Sequence, residues 1–348
     1  MARTREGRVA SATIVDVAKA AGVSKTTVSD ALRGGGRVSE ETRKVVLAAA
    51  EKLGYSLNRS ARSLRTATTG AIGLYIPQVL VRSEHYLSFV YGAVNEAAQR
   101  DYDVTLIVAG NRERAAHVPH VDGLVLIDPV ESDENLDRLM ATGLMTVSSE
   151  RFPGGRQPSG VVWSDHAVQA RRLLDHLAAQ GAKAPALVAS TTVSEWSLNI
   201  REAYIGWCSE RGIDPVIVES PFGASPDDLQ RTATDLLRDH PATDALVAAG
   251  DGVAATVAPA LTAAGRTIGG DFLLASCVDS QANEALQPPI TSVDARGGDA
   301  GAACVRLLLD LLEGSVEPGA SIELPLLRHT RASTQRIARS DVDPPANV

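Results

Sequence analysis

The polar residues between Ser24 and Arg33 have types and spacing suited to contacts with the edges of DNA bases. Val28 and Leu32 recur at helical spacing and would face inward on a short helix. The outer surface of that helix would then carry Lys25, Thr26, Ser29 and Asp30. Lysine and hydroxyl side chains bond to base edges, and an aspartate accepts a hydrogen bond from cytosine N4. The stretch therefore predicts a helix that contacts bases.

No motif in the chain supports catalysis. A phosphate-binding loop, a nucleophile elbow and a dinucleotide fingerprint are all absent from the sequence. His117 and His120 form an H-x-x-H without a third ligand, so a solvated loop explains them better than a metal site. We expect a protein that is not an enzyme and has no cofactor or metal. An α/β enzyme is the first alternative, but it leaves residues 1–66 unexplained.

Three short helices are predicted before residue 54. Thr13 and Asp16 have the spacing of a capping box, and Gly22 would end the helix that they begin. Ser24 is a suitable N-cap for the helix described above, and Ser39 for a third helix that extends to Leu53. Two helices joined by a tight turn that contains glycine, with a third helix closing the core, predict a helix-turn-helix.

The charge of the chain is divided between its two parts. Residues 1–66 contain thirteen Lys and Arg and six Asp and Glu, a net charge of +7. The rest of the chain has a net charge of −15, which gives the total of −8. A small basic region on an acidic body is the distribution expected when one domain binds nucleic acid phosphates.

Composition places the chain among cytoplasmic globular proteins. Cys208, Cys277 and Cys304 are widely separated, which disfavours a disulfide framework or a zinc site and fits a reducing compartment. The N-terminus has no apolar segment typical of a signal peptide, and no apolar run reaches the roughly 20 residues that span a bilayer. These features disfavour a membrane protein. They also disfavour an exported solute-binding protein, the second alternative.

Beyond residue 70 short apolar runs alternate with helical stretches. Six runs read as buried strands, at 71–77, 103–109, 122–128, 184–190, 245–251 and 272–279. Between them, helices are expected at 86–100, 166–180, 198–211, 226–239 and 252–264. This alternation predicts parallel sheets covered by helices. About 270 residues exceed one comfortable core, so two similar α/β subdomains are expected.

Residues 13–76 resemble the lactose-repressor-type (LacI/GalR) family of bacterial transcription regulators. They read TIVDVAKAAGVSKTTVSDALRGGGRVSEETRKVVLAAAEKLGYSLNRSARSLRTATTGAIGLYI and match without gaps. The resemblance implies an all-α helix-turn-helix domain at 1–57, a hinge helix at 58–66, a two-lobed periplasmic-binding-protein-like α/β domain at 67–340 and a tail at 341–348. Leu64 occupies the position at which the family inserts a leucine into the minor groove. Leu57 replaces a proline that is common in the family.

The resemblance and the helix pattern together predict a set of DNA-binding residues. These are Thr13, Ser24, Lys25, Thr26, Thr27, Ser29, Asp30, Arg33, Asn58, Arg59, Ala61, Arg62, Leu64 and Arg65.

The resemblance also implies an effector site between the lobes. Its predicted residues are His85, Tyr86, Asp165, His166, Arg201, Phe222, Gly250, Asp251 and Asp279. Arg201 lies one position from the register of the family arginine. Trp207 is expected to pack in the core rather than to bind.

The expected partners are a pseudo-palindromic double-stranded operator, a small-molecule effector and a second copy of the chain. The family implies a repressor, with a sugar as effector or, alternatively, a nucleoside or other non-sugar metabolite. The residues after Ile337 are too few and too rich in proline for a tetramerising heptad zipper, which predicts a homodimer. The sequence is compatible with two effects of the effector: it releases the protein from DNA, or it strengthens DNA binding.

Overall fold

The computed structural model describes residues 12–33, 38–53, 68–76, 83–108, 120–130, 133–152, 157–191, 193–221 and 223–336. The chain divides into two compact units, Met1–Thr69 and Gly70–Val348. Each unit has its own core, and the two are treated separately below.

The first unit contains three helices around a small apolar core. They are α1 (Ile14–Ala21), α2 (Lys25–Arg33) and α3 (Glu40–Lys52). Thr13 and Asp16 form the predicted capping box of α1, and Gly22 ends the helix with a φ of 66°. The core joins the three helices through Val17, Val28 and Val46. The predicted helix-turn-helix is therefore present.

The second unit contains two lobes, each built on a six-stranded sheet. The sheet of the N lobe has the order β11-β5-β4-β3-β1-β2, and all of its strands are parallel. In chain order these strands are β1 (Ala71–Ile76), β2 (Asp103–Val108), β3 (Gly123–Ile127), β4 (Met145–Ser149), β5 (Gly160–Trp163) and β11 (Ala320–Glu323). Helices α4 (Glu84–Gln99) and α11 (Gly297–Leu312) pack on one face, and α5 (Glu134–Met140) packs on the other.

The sheet of the C lobe has the order β12-β10-β9-β8-β6-β7, with only β12 antiparallel to its neighbour. Its strands are β6 (Pro185–Ser190), β7 (Val216–Ser220), β8 (Ala245–Ala248), β9 (Leu273–Ser276), β10 (Thr291–Asp294) and β12 (Leu327–His329). Helices α6 (His166–Ala179) and α7 (Glu195–Glu210) cover one face. Helices α8 (Pro226–Asp239) and α9 (Val253–Ala263) cover the other, and the short α10 (Gln281–Ala285) follows β9. Because both faces are covered, the central strands β6, β8 and β9 are mainly apolar, as is usual in parallel sheets.

The chain crosses between the lobes at three places. It leaves the N lobe after β5, returns after β10 to form α11 and β11, and then enters the C lobe again as β12. Each lobe is therefore completed by a segment distant in sequence. The crossings connect the two sheets at their carboxyl ends.

The structure confirms the α/β class and extends the predicted set of elements. All six predicted strands and all five predicted helices of the second unit are present, and their boundaries differ by at most three residues. The sequence interpretation did not identify β4, β5, β7, β10, β11 and β12, nor α5, α10 and α11. Several of these strands are short or half-exposed, as in β7 and β12, so their apolar signal is weak.

Several predictions fall outside the described residues. They concern the hinge at 58–66, Phe222, His117, the side chain of Arg33 and the tail at 341–348. Within the described ranges, no helix combines the length and apolar character that crossing a bilayer requires.

Candidate functional site

A cavity of about 450 Å³, here called the outer chamber, lies at the carboxyl ends of β6, β7 and β8. The chain runs from β6 to β7 on one side and then to β8 on the other side of β6, which makes this a topological switch point. Ligands of open α/β sheets bind at such points. The walls are the apolar Val188, Ala189, Pro221, Ala224, Pro226, Leu229 and Val253, the hydroxyl-bearing Ser83, Ser190, Ser220 and Thr256, and Gly223, Gly250, Asp251 and Gly252. The volume falls in the range of small-molecule sites.

A second cavity, here called the inner chamber, lies between the two lobes. Ser83 and Asp251 belong to the walls of both chambers, so the two spaces adjoin. The inner chamber has only about 50 Å³ of free volume, which is room for a few water-sized groups. Its other walls are His85, Tyr86, Asp128, Ser149, Glu150, Val162, Trp163, Ser164, His166, Trp196, Ile200, Cys277, Val278, Ala295, Ala300 and Leu324.

Two acidic residues of the inner chamber occupy matched positions on neighbouring strands. Ile127 of β3 is paired with Ser149 of β4, and Asp128 and Glu150 directly follow this pair. Parallel strands lie about 5 Å apart, so the register itself brings the two acids together. Both residues have positive φ, 43° for Asp128 and 73° for Glu150, a strained conformation that is concentrated at functional sites.

Tyr86 and Asp128 form a buried hydrogen-bonded pair. The Tyr86 hydroxyl donates to Asp128 Oδ2 at 2.5 Å. Burial raises the pKa of the Asp128 carboxyl. Burial also raises the pKa of the Tyr86 hydroxyl well above its usual value, and the charges of Asp128, Asp251 and Glu150 raise it further. The three carboxylates therefore surround one phenol.

His166 and Glu150 form the second ionisable pair. His166 Nε2 lies 3.1 Å from Glu150 Oε1, and both side chains are largely buried. Burial alone would lower the pKa of His166, but the charge and hydrogen bond of Glu150 outweigh it and raise the pKa. The pair is a charge-assisted bond between the start of α6 and the end of β4.

Asp251 links the lobes across the cleft. Its Oδ2 accepts hydrogen bonds from Ser83 Oγ at 2.8 Å and from the His85 backbone N–H at 3.2 Å. A carboxylate at the N-terminus of α4 is stabilised by the dipole of that helix. The Gln281 backbone N–H donates to Glu84 Oε2 at 2.8 Å, a second bond between the lobes nearby.

The structure brings five of the residues predicted for the effector site to the chamber walls. They are His85, Tyr86, His166, Gly250 and Asp251.

Three other residues of that set do not line either chamber, and here the structure corrects the sequence interpretation. Arg201 lies on α7, and its Nη2 donates to Glu219 Oε1 of β7 at 2.5 Å. Asp165 caps α6 by accepting the Val168 N–H at 2.8 Å. Asp279 accepts hydrogen bonds from Arg331 at 2.7 and 2.8 Å, so its carboxylate is bound within the C lobe.

Sequence reasoning missed Asp128, Glu150, Ser83, Trp163 and Trp196 as wall residues. Asp128 could have been found, because it is the last residue of a run interpreted as a buried strand. Glu150 required the identification of β4. Trp207 packs in the core as expected, buried against α6.

The described residues contain no group of three or more His, Cys, Asp and Glu side chains arranged to hold a metal. The inner-chamber acids instead bond to Tyr86, His166 and Ser83. The chemistry of the cleft is that of a binding site for a ligand with hydrogen-bond donors.

In the first unit, α2 presents its N-terminal residues at the surface. Ser24 caps the helix by accepting the Thr27 N–H at 3.0 Å, and Lys25 and Thr26 are exposed. Val28 and Ala31 are buried, so the helix is held from its opposite face. Thr27, Ser29 and Asp30 are half-buried, whereas Thr13 is exposed but bonds to Asp16.

The two units define a class of protein that joins a helix-turn-helix to a two-lobed α/β unit with a ligand cleft. Residues 13–58 match the family described as "Bacterial regulatory proteins, lacI family", and residues 174–334 match the "Periplasmic binding protein-like domain". The chain therefore contains a helix-turn-helix of the lacI family and a periplasmic-binding-protein-like domain.

Relatives match over nearly the full length. The ribose operon repressor of Halalkalibacterium halodurans is 28% identical over 93% of this chain and 97% of its own length. The HTH-type transcriptional repressor PurR of Pasteurella multocida is 27% identical over 90% of this chain and 96% of its own. These regulators confirm that the chain is similar to repressors rather than to enzymes.

Solved structures share the fold. The lac repressor dimer bound to operator and the anti-inducer ONPF has a TM-score of 0.80, with 24% identity over 93% of this chain and 99% of that chain. The complex of transcriptional regulator CelR with cellobiose has a TM-score of 0.70, with 24% identity over 92% of this chain and 99% of that chain.

Proposed function

We propose that this chain is a dimeric transcriptional repressor that binds a pseudo-palindromic operator and responds to a sugar in the cleft between its lobes. The observation that carries the DNA-binding part is the surface of α2. Its N-terminal residues Lys25 and Thr26 face outward, while Val28 and Ala31 fix the helix on the core. In helix-turn-helix proteins these N-terminal residues contact base edges in the major groove.

The proposed DNA-binding residues divide into those that contact bases and those that contact phosphates. Ser24, Lys25, Thr26, Thr27, Ser29 and Asp30 are the proposed base-reading set. Thr13 and Arg33 are proposed to lie beside this set. The hinge is proposed to add further contacts, with its arginines on phosphates and Leu64 in the minor groove. The proposed hinge residues are Asn58, Arg59, Ala61, Arg62, Leu64 and Arg65. The net charge of +7 in residues 1–66 supports this assignment.

Selection from a random palindromic library, followed by binding measurements, tests the DNA-binding proposal. We expect one family of sequences to be enriched, with affinity that falls steeply with salt because several phosphates are neutralised. Lys25→Ala should weaken binding about tenfold or more, whereas Lys183→Ala, an exposed lysine of the C lobe, should have no effect. Failure to enrich any sequence would refute the proposal.

The sugar proposal rests on the two chambers and on the names of relatives. One relative is a ribose operon repressor, and one structural neighbour is a complex with cellobiose. Hydroxyl groups of a sugar would find acceptors in the carboxylates of the inner chamber and partners in Ser190, Ser220 and Thr256 of the outer chamber. Ligand binding would shift the lobes and thereby order or melt the hinge helices at 58–66.

An apolar stripe on the N lobe supports the dimer. Leu87, Tyr91 and Val94 of α4 are 51%, 71% and 41% exposed and lie on one helical face. Leu106 and Val108 of the edge strand β2 are also exposed, and α4 packs on this strand. Exposed apolar patches of this kind mark interaction surfaces. A second copy of the chain is the proposed occupant.

Light scattering after size exclusion tests the dimer. The wild-type chain should be a dimer, and Tyr91→Glu should make it a monomer with weaker operator binding because a charge enters the apolar stripe. Ile205→Glu is the matched control, since Ile205 is an exposed apolar residue on α7 of the other lobe. If the Tyr91→Glu protein were still a dimer, the stripe would not be part of the dimer interface.

The proposed localisation follows from the proposed partner. Because that partner is chromosomal DNA, we place the protein in the cytoplasm.

A further inference from the structure

The two chambers differ in size and in charge, and together they describe the shape of a ligand. The outer chamber has about 450 Å³ and walls of aliphatic side chains with four hydroxyls. The inner chamber has about 50 Å³ and is reached past Ser83 and Asp251. A compact ring fills a volume of the first kind, and only a small substituent enters the second.

The charge of the inner chamber decides what that substituent is. Asp128, Glu150 and Asp251 line it, and no Lys or Arg is among its described wall residues. His166 forms the one ion pair among the described wall side chains, with Glu150, and the charges of His85 and His166 also act on Asp128. Asp251 is held by neutral donors, namely Ser83 Oγ and the His85 backbone N–H, and the three acids of the wall outnumber its two histidines.

Aromatic walls favour the same kind of substituent. Tyr86, Trp163 and Trp196 contribute rings to the inner chamber, and the Trp163 ring already stacks on a cation, the Arg151 guanidinium, 3.6 Å from its centroid. Aromatic faces attract cations, and a cation between carboxylates and rings is bound more strongly when water is excluded. A carboxylate or phosphate in this space would instead be repelled by the acids of the wall.

We propose that the effector is an amino sugar, with its ring in the outer chamber and its protonated amine in the inner chamber beside Asp128 and Asp251. This inference rests on the proposed function, because it names the chemical class of the effector for the same cleft. The small volume of the inner chamber disfavours an N-acetylated amine there, and its acids disfavour a carboxylate or phosphate group in the same space.

Binding of matched sugars to the full-length protein tests the inference. The probes are glucosamine, galactosamine and mannosamine, each compared at about pH 6.5, where such amines are protonated, with its neutral hexose, N-acetyl derivative and 6-phosphate. Thermal shift and calorimetry give the affinities. We expect one hexosamine to bind at least about tenfold more tightly than its hexose, and its N-acetyl and phosphate derivatives to bind more weakly than the hexose.

Variants assign the preference to the chamber. Asp128→Asn should reduce the ratio of amine to hexose affinity at least about fivefold, and Asp251→Asn provides a second test if the first variant does not fold. Asp101→Asn is the matched control, because Asp101 is an exposed acid of the N lobe with a φ of 60° that asparagine also adopts.

Every outcome bears on the inference. A hexose, an N-acetyl sugar or a phosphate that binds as tightly as the amine overturns it, and so does the absence of binding by all three hexosamines. Binding of a neutral sugar with no preference for the amine overturns this inference alone. Loss of the proposed function would instead appear as a protein that enriches no operator.

Discussion

Two ionisable pairs, Tyr86 with Asp128 and Glu150 with His166, determine the chemistry of the inner chamber at the scale of single residues. Each pair joins side chains from different elements. Asp128 and Glu150 keep strained backbone conformations at adjacent strand ends. Strain of this kind persists only where the surrounding structure determines it. We infer that the two strand ends position these acids for the ligand.

The Glu150–His166 pair predicts a stability that falls as pH rises. The pKa of His166 is raised in the folded state above its usual 6.5, so the pair contributes fully below about pH 6.5 and its contribution is lost as pH rises through the raised pKa. Burial also raises the pKa of Asp128, so this carboxyl likewise contributes stability at low pH that is lost as pH rises. We expect the fall in Tm above about pH 6.5 to be ~2–4 °C smaller in His166→Gln than in the wild-type protein.

The measurement is Tm against pH, followed by tryptophan fluorescence. Trp163, Trp196 and Trp207 all lie in the second unit, so the signal reports that unit alone. His240→Gln is the control, since His240 is exposed after α8. Equal pH slopes for wild type and His166→Gln would contradict the assignment.

Asp30 predicts a departure from the operators of related proteins. An arginine at this position would bond to guanine, whereas an aspartate accepts a hydrogen bond from cytosine N4. We expect Asp30→Arg to change base preference at one symmetric position of the operator. Selection of binding sites with both proteins measures this. A uniform gain in affinity for all sequences would show that only charge had changed.

The predicted and observed sites differ for reasons of register. His85, Tyr86, His166, Gly250 and Asp251 lie on chamber walls because they follow or begin elements that the pattern located correctly. Arg201 was misplaced because a helix turns its side chains by 100° per residue, so one position moves a guanidinium from the cleft to Glu219. The bond from Arg331 to Asp279 joins residues 52 positions apart, and no local pattern contains it.

At the scale of elements, α4 and α11 pack with their backbones in contact. A Cβ atom at Gly301 would lie 2.1 Å from the carbonyl oxygen of Phe89, and one at Gly92 would lie 1.9 Å from that of Gly298. This contact positions α4, whose first residues carry the Ser83 and His85 groups of the cleft. A segment distant in sequence therefore sets the geometry of the site.

Gly301→Ala should destabilise the second unit. The added methyl meets backbone rather than a movable side chain, so α4 and α11 must separate, at a cost of about 1–3 kcal/mol. Gly206→Ala on α7 is the matched control. Its Cβ would lie 3.7 Å from the nearest atom, and alanine is the better helix former by about 1 kcal/mol.

Urea unfolding followed by tryptophan fluorescence measures both glycine variants. A lower midpoint for Gly301→Ala and an unchanged or higher midpoint for Gly206→Ala are expected. Equal midpoints for Gly301→Ala and wild type would show that the helices separate without cost.

The periodicity and length of apolar runs predicted the longer helices and strands, but not the later segments α11, β11 and β12 that complete each lobe. Six of the first seven residues of α11 are glycine or alanine, and the larger apolar residues form a stripe only later in the helix. The half-exposed β7 and β12 lack the continuous apolar run that marked β1 and β3. Tertiary pairing, rather than local propensity, makes these segments strands.

At the scale of the whole molecule, charge and architecture divide the work between two units. The basic first 66 residues carry the helix-turn-helix, and the acidic remainder carries the cleft. A ligand controls DNA binding only if it binds two states of the protein with different affinity. The bonds from Ser83 and His85 to Asp251 hold one such state, with the lobes joined across the cleft.

Leu64 should connect the two activities. The residue lies in the proposed hinge, outside the described residues, where a leucine wedge would kink the operator. We expect Leu64→Ala to weaken operator binding about tenfold or more while the fluorescence-detected Tm of the second unit stays the same. Leu327→Ala, an exposed leucine of the C lobe, is the control. Unchanged operator affinity for Leu64→Ala would refute the wedge.

The affinity of the full-length protein for its selected palindrome, with and without the sugar that raises its Tm most, tests the central claim most directly. Fluorescence anisotropy at fixed salt gives both dissociation constants. A ligand-controlled regulator predicts that saturating sugar changes the Kd for the palindrome at least about tenfold. An identical Kd in the presence of saturating sugar would contradict it.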